Sequence, residues 1–139
     1  MNYYELDTFT QAYITCALWS SIDNDVPLDS NHDGSDIHSE SLAHMAKDCD
    51  DFRILAAEDL ARAYAQRKVP YSDEQAGHDF WLNRNHHGAG FWDRGLGRLG
   101  DRLSDAAHSY GDSDLYVGDD GQLYVYFTSV KGICFTPSN

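Results

Sequence analysis

The stretch Gly77 to Gly100, GHDFWLNRNHHGAGFWDRGLGRLG, decides how the rest of the chain is read. It holds two Phe-Trp pairs (Phe80-Trp81 and Phe91-Trp92), three histidines (His78, His86, His87), three arginines (Arg84, Arg94, Arg98), two aspartates (Asp79, Asp93) and six glycines. Large aromatics bury much area, and glycines let backbones approach closely or take positive φ, so this mixture suits either a tight junction between elements or a site. The aromatic pairs flank a His-Gly turn and are expected to fold back and interdigitate, joining the third and fourth helices to the long helix before them. Adjacent side chains diverge, so Phe91 is expected to be the more buried and Trp92 partly exposed. Gly88 and Gly90 are expected to take positive φ or to let a helix pass at van der Waals distance.

The elements on either side follow from local signals. Ser72 with Gln75 reads as a capping box opening a short helix that ends near Asn83 or Asn85. Beyond the second pair, Leu96, Leu99, Leu103, Ala106 or Ala107, and Tyr110 mark another helix that closes at Gly111. Gly95-Leu96-Gly97-Arg98-Leu99-Gly100 fits the dinucleotide pattern G-x-G-x-x-G, which needs a buried strand before it. Phe91-Trp92-Asp93-Arg94 is not such a strand, and close helix packing accounts for the glycines better.

Further out, Leu6, Phe9, Tyr13, Ala17 and Ser20 recur at helical spacing over residues 5–20, with Asp7 or Thr8 as the cap. Periodicity disappears from Ser21 to Ser39, a polar surface loop rich in Asp, Asn and Ser. A long helix is expected from Ser39 or Ser41 to Lys68 without interruption, with Leu42, Met45, Cys49, Phe52, Ala56, Leu60 and Ala63 as its buried stripe. Arg62, Arg67 and Lys68 complement its C-terminal dipole, and Pro70 stops it. At the other end, LYVGDDGQLYVYFTSV alternates about Asp119-Asp120-Gly121, which predicts a β-hairpin, with Lys131 to Phe135 as a candidate third strand. The predicted fold class is α+β, mainly helical with about four helices and a small C-terminal antiparallel hairpin or three-stranded sheet. At 139 residues the chain fits one domain, 1–139.

Cys16, Cys49 and Cys134 lie far apart with no C-x-x-C spacing and read as reduced, mostly buried thiols of a cytosolic protein. The N-terminus lacks a basic segment followed by an apolar run, and no 18-residue apolar stretch occurs, so neither export nor a membrane span is expected. The charge of −13 is an N-terminal property: residues 1–60 hold 13 acidic and 2 basic side chains, residues 61–139 hold 10 and 8. Such a surface repels phosphates and membranes and attracts basic proteins or cations.

Three chemistries are open on the residues. First, His78, Asp79, His86, His87 and Asp93 supply imidazoles and carboxylates for acid-base or metal-assisted hydrolysis, with a histidine as general base and an aspartate orienting it or holding a divalent ion. Second, Asp48, Asp50, Asp51, Glu58 and Asp59, with Arg84 and Arg94, form a candidate binding surface. The acidity favours a protein partner with a basic surface over direct nucleic-acid binding, and a homodimer is compatible with the sequence. Third, Asp29 to Glu40, DSNHDGSDIHSE, fits the calcium-loop pattern, with Asp29, Asn31, Asp33 and Glu40 as side-chain ligands and the Ser35 carbonyl at the seventh position. Asp36 replaces the usual apolar eighth residue and no second such loop is present, so the reading without any cofactor stands beside the one with Ca2+.

The segments AGHDFWLNRN, HGAGFWDRG and GDSDLYVGDDGQLYV resemble a largely uncharacterised family of small acidic proteins encoded by bacteriophages and prophages. The resemblance runs from the first helix to the hairpin. It implies a cytoplasmic accessory protein that acts in the host cell, and it assigns no catalytic residues. Together with the N-terminal charge it suggests a non-enzymatic binder, an inhibitor of a host nucleic-acid-handling defence complex that presents carboxylates in place of DNA phosphates.

Overall fold

The computed structural model describes residues 2–128 and 134–135. It is an α+β arrangement, mainly helical, in the order α1 (Thr8–Ser20), β1 (Ile22–Asp23), β2 (Val26–Pro27), α2 (Ser39–Leu55), α3 (Ala57–Ala65), α4 (Asp73–Arg84), α5 (Arg98–His108), β3 (Ser113–Val117), β4 (Leu123–Thr128) and β5 (Cys134–Phe135). β1 and β2 form one small antiparallel sheet, and β3, β4 and β5 form a second, in that order. Residues 131–133 of the expected third strand lie outside the described residues. No helix among the described residues is long and apolar enough to cross a membrane.

Helix α1 begins where Asp7 accepts the Thr10 amide at 2.9 Å, and its Phe9, Tyr13, Ile14, Cys16 and Ala17 are fully buried. It crosses α4 at Gly77, where any Cβ would run into the Phe9 carbonyl. Only glycine lets two helix backbones meet so closely. Ser72 caps α4 by accepting the Gln75 amide at 3.3 Å, but the Gln75 side chain turns to Asp79 instead of closing the box.

The expected uninterrupted helix to Lys68 breaks at Ala56 (φ −103°, ψ 18°), where α2 ends and α3 starts. No glycine or proline marks the break. It redirects α3 onto α5, buries Leu60 and Ala63, and lets Asp59 reach Arg102 at 3.0 Å, so tertiary packing has overridden helix propensity. α3 then stops short of Lys68 because the Gln66 side chain holds the next turn: its amide donates to Ala63 O and Val69 O, and its oxygen accepts from the Lys68 and Val69 amides.

The aromatic pairs meet on the long helix as expected, through one residue. Phe52 of α2 stacks on Phe80 with centroids 4.2 Å apart and on Phe91 at 5.7 Å, while Tyr13 meets Trp81 edge-on at 5.2 Å. Phe91 is fully buried and Trp92 is 49% exposed. The first pair departs from the expected divergence, since Phe80 and Trp81 are both buried: α4 is covered on more than one side, and the Trp81 indole donates to Ser20 Oγ at 2.7 Å. Gly90 sits at φ 151° in the approach to the Phe91–Asp93 turn, with the Asn83 amide where its side chain would be. Gly88, expected to share that role, has open space around it. The glycine pattern at 95–100 is preceded by that short turn and not by a strand, and Gly100 abuts the Phe91 carbonyl.

Residues 21–39 carry more structure than their composition suggests. Asn24 (φ 50°) and Asp25 (φ 68°) both take left-handed conformations, the requirement of a type I′ hairpin turn, and so pair Ile22 with Pro27 and Asp23 with Val26. Two short 3-10 turns, Leu28–Ser30 and Gly34–Asp36, carry the chain to the second sheet. There the His38 amide donates to Leu123 O at 2.8 Å, the Val125 amide donates to Ser41 Oγ at 3.1 Å, and His38 stacks on Tyr124. The acidic loop and the hairpin are thereby one end of the molecule.

Candidate functional site

Helix α4 carries three of the site residues singled out in the sequence, His78, Asp79 and Arg84, and turns Asp79 and Arg84 fully inward. Asp79, fully buried, accepts Tyr71 Oη–H at 2.7 Å, Gln75 Nε2 at 3.0 Å, and a fork from Arg94, with Nη2 at 2.7 Å and Nε at 3.1 and 3.2 Å. The Asp79 hydrogen bond holds the Arg94 pKa above its ordinary value. Asn83 accepts the Phe91 amide at 2.7 Å and the Ser104 hydroxyl at 3.2 Å, which fixes the turn that delivers Phe91 to the core.

Arg84 is 1% exposed and meets four oxygens: Nε donates to Gly111 O (2.9 Å), Nη1 to Tyr13 Oη (2.9 Å) and Asp48 Oδ2 (2.8 Å), and Nη2 to Tyr110 O (3.0 Å). Burial works against its charge, yet Tyr13 and Asp48 leave its pKa raised. Arg84 is therefore removed from the binding surface expected of it, because a guanidinium satisfied on all sides inside the protein has nothing to offer a partner.

The catalytic reading gathers His78, Asp79, His86, His87 and Asp93, and the fold disperses them. Asp93 accepts the Gly90 amide at 3.0 Å and lies 3.8 Å from Arg94 Nε, so Arg94 stands between it and Asp79. His86, at φ 55°, stacks on His108 with centroids 4.3 Å apart. His78 lies beside Trp19 and lines a cavity of about 270 Å³ with Tyr3, Thr15 and Glu74; its Nδ1 is buried without a hydrogen-bond partner among the described residues, and burial lowers its pKa. His87 is exposed on a different cavity. An aspartate already held by an arginine, an amide and a phenol is poorly placed to orient a base. Among the described residues no group of three or more His, Cys, Asp or Glu side chains stands together as a metal site.

The 29–40 segment uses its oxygens locally. Asp33 caps the second 3-10 turn by accepting the Ser35 amide (2.8 Å) and the Ser35 hydroxyl, and Asp36 Oδ2 accepts the Asp33 amide (3.0 Å) and faces His32 at 3.5 Å. Asp29 and Asn31 belong to the preceding turn and Glu40 to the first turn of α2. These side chains are spread over two turns and a helix start, and Asp33 is directed onto its own backbone.

Charge separates the two ends of the molecule. On the helical side each acid of the expected binding set has a base: Asp48 with Arg84, Asp50 with Arg53 (2.7 Å), Asp51 with Lys47 (3.2 Å), Glu58 with Arg62 (2.7 Å) and Asp59 with Arg102. On the loop-hairpin side, residues 21–46 and 109–128 carry ten carboxylates and neither lysine nor arginine. None of those ten pairs with a lysine or arginine among the described residues. Asp73, Glu74, Asp101 and Asp105 on the helices also lack such a pair, but the densest unneutralised charge lies at the loop and hairpin, away from the helix residues first assigned to it.

That same end holds a cavity of about 350 Å³ where the C-termini of α1 and α4 meet the start of β3, lined by Ser20, Trp81, Asn85, His87, Asp112 and Asp114. Asp112 and Asp114 were not among the sequence candidates. Asp112 immediately precedes β3 and Asp114 is its second residue, a spacing of two that was the available signal. Comparison with protein-family models, with curated proteins and with solved structures found no match to this chain.

Proposed function

We propose that the protein is a non-enzymatic binding protein whose loop-hairpin end engages the basic surface of another protein. The observation that carries this reading is the distribution of charge: the helix acids 48, 50, 51, 58 and 59 are matched by arginine and lysine, while the ten carboxylates at 21–46 and 109–128 meet neither among the described residues. Residues 1–20 and 47–108 hold 13 acidic and 9 basic side chains, against ten and none at the other end, so most of the negative field of the molecule issues from the loop and hairpin. An unmatched negative surface accelerates encounter with a positive partner and favours it over wrong ones. The resemblance to phage-encoded proteins directs the reading to a host protein in the cytoplasm, and surfaces that bind DNA are the basic surfaces such a protein meets. Inhibition of a nucleic-acid-handling defence complex, with carboxylates taking the place of phosphates, follows from that.

Retrieval of partners from bacterial lysate on the immobilised full chain tests it. A basic partner released by about 0.5 M salt or by duplex DNA is expected, because such contacts are screened. Asp23→Asn/Asp25→Asn/Asp119→Asn is expected to lose that partner and Asp50→Asn/Asp51→Asn to keep it. Equal retrieval by wild type and the loop variant overturns the proposal.

A further inference from the structure

The helical side leaves an apolar surface uncovered where α2 gives way to α3. Ile54 is 76% exposed, the most of any large hydrophobic side chain among the described residues, and Leu55 beside it is 62% exposed. The α3 sequence, Ala-Glu-Asp-Leu-Ala-Arg-Ala-Tyr-Ala, continues that surface. At about 100° per residue its apolar side passes through Ala63, Leu60, Tyr64, Ala57, Ala61 and Ala65, an arc of about 200°. The fold covers only the first part of the arc: Leu60 and Ala63 are buried as α3 packs on α5, whereas Ala57, Ala61, Tyr64 and Ala65 are exposed. An apolar stripe a little over about 100° wide is enough to seat a helix on its own core. The remainder, with Ile54 and Leu55 at its start, is surface that a further packing partner would bury.

Charge selects the occupant. Asp50 and Asp51 stand one turn before the apolar pair and Glu58 follows it, and they are neutralised by Arg53 (2.7 Å), Lys47 (3.2 Å) and Arg62 (2.7 Å) respectively. An apolar centre within a polar rim is the make-up of a protein interface. A basic partner gains nothing from a rim already in balance and is drawn to the unmatched carboxylates at the loop and hairpin. A second copy of this chain, itself carrying −13, is repelled by that acidic end and approaches most easily where the acids are matched. Helix α2 supplies the distance. It starts at Ser39 beside the hairpin, where Ser41 Oγ accepts the Val125 amide, and runs 17 residues to Leu55, about 24 Å at 1.5 Å per residue. That is more than twice the screening length of about 10 Å in 0.1 M salt, so copies joined at Ile54 and Leu55 hold their acidic ends clear of the junction. We infer that two copies of this chain pair through a two-fold contact centred on Ile54 and Leu55, with the exposed side of α3 beside it and the ion pairs at its rim. A two-fold contact uses the same patch on both copies, which a face balanced in charge permits. The inference stands apart from the partner-binding reading and adds to it a particle with two outward acidic ends.

The test is sedimentation equilibrium of the full chain over about a hundredfold range of concentration, because association follows mass action. The average mass should rise from the 15.7 kDa of one chain toward twice that value. Ile54→Glu/Leu55→Glu should remain at the single-chain mass throughout and keep the wild-type circular dichroism, since both side chains already face water. Ile22→Glu changes a comparably exposed side chain (60%) at the acidic end and should leave pairing unchanged. In wild type, the ¹⁵N-amide signals that move on dilution should be confined to residues 47–65, a readout that does not depend on any variant. A single-chain mass at every concentration, pairing that survives Ile54→Glu/Leu55→Glu, pairing lost equally in Ile22→Glu, or dilution shifts centred on 21–46 or 109–128 overturns the inference. The two readings fail separately, because about 0.5 M salt releases a basic partner and leaves an apolar contact between copies intact. A salt-released partner on a chain that never pairs removes the two-fold contact and leaves the wider proposal, and a salt-resistant pair without such a partner does the reverse.

Discussion

Helix α4 and the loop from Ser21 to Glu40 are both rich in polar side chains, and they use them in opposite ways. In α4, Asp79, Asn83 and Arg84 are buried and both buried charges are answered from within: Arg94, Tyr71 and Gln75 around Asp79, Asp48 and Tyr13 around Arg84. In the loop, Asp23, Asp25 and Asp29 face water with no arginine or lysine near them in the chain. The contrast separates unusual sequence from functional sequence. A dense mixture of aromatic, glycine and charged residues is what a buried polar junction requires, because each charge taken from water needs an ordered partner. Surplus charge that the chain leaves unanswered is the part available to something else.

The sharpest way to break the contrast is to remove the charge at its buried pole. Arg84→Met leaves the Asp48 carboxylate and the Tyr13 hydroxyl facing an apolar side chain, together with the Gly111 and Tyr110 carbonyls. Deleting one member of a buried ion pair costs about 3–5 kcal/mol, a large fraction of what holds a domain of this size together. Urea denaturation should show that loss. Arg84→Lys is expected to recover only part of it, since an ammonium cannot reach four oxygens in the plane of the fork. A loss below about 1 kcal/mol for Arg84→Met would place this residue with the surface ion pairs and dissolve the distinction between the two regions.

Next in size is the glycine that carries the turn into Phe91. At φ 151°, Gly90 occupies backbone space that side-chain-bearing residues avoid, and a side chain there would displace the Asn83 amide that holds Phe91 and Ser104. Gly90→Val should cost roughly 2 kcal/mol or more, combining backbone strain with displacement of a buried amide. Ala89→Ser, one residue away and only partly buried, should melt close to wild type. Equal melting temperatures for the two would mean that the turn relaxes freely and that the hub does not depend on it.

What could be read from the sequence was local. Caps at Asp7 and Ser72, helical periodicity in α1, α2 and α5, the Asp119-Asp120-Gly121 turn, and the burial of Phe91 against the exposure of Trp92 each depend on residues a few positions apart. What could not be read was set by distant partners. The break at Ala56 exists because α3 packs on α5, Arg84 is buried because Tyr13 and Asp48 arrive from two other helices, and Trp81 is buried because Ser20 stands over it. The candidate site failed in the same way. Asp48, Asp50, Asp51, Glu58 and Asp59 are dense in sequence, and only the fold reveals that each has a base beside it. Asn24-Asp25 is the exception, a local signal available and passed over: two residues that tolerate left-handed backbone, flanked by Ile22 and Val26, mark a type I′ turn.

The smallest expected effect is the most direct measure of the contrast, because it predicts opposite signs for the same chemical change. Asp23→Asn/Asp29→Asn removes two negative charges from the end that has no bases, and asparagine keeps the size of each side chain. Relief of repulsion with the other carboxylates of that end should raise stability by a few tenths of a kcal/mol at low ionic strength. Asp50→Asn/Asp51→Asn removes the same charge from the helical side, but there it severs pairs with Arg53 and Lys47, exposed contacts of the kind that contribute about 0.2–1 kcal/mol each. The first variant should therefore melt slightly above wild type and the second at or below it. Both differences should shrink toward zero in about 1 M salt, where the screening length falls to about 3 Å. Differential scanning calorimetry at two salt concentrations resolves the signs. If the loop variant melts below wild type at low salt, its carboxylates are satisfied within the molecule, and the surface proposed to meet a basic partner is no more available than the helix acids are.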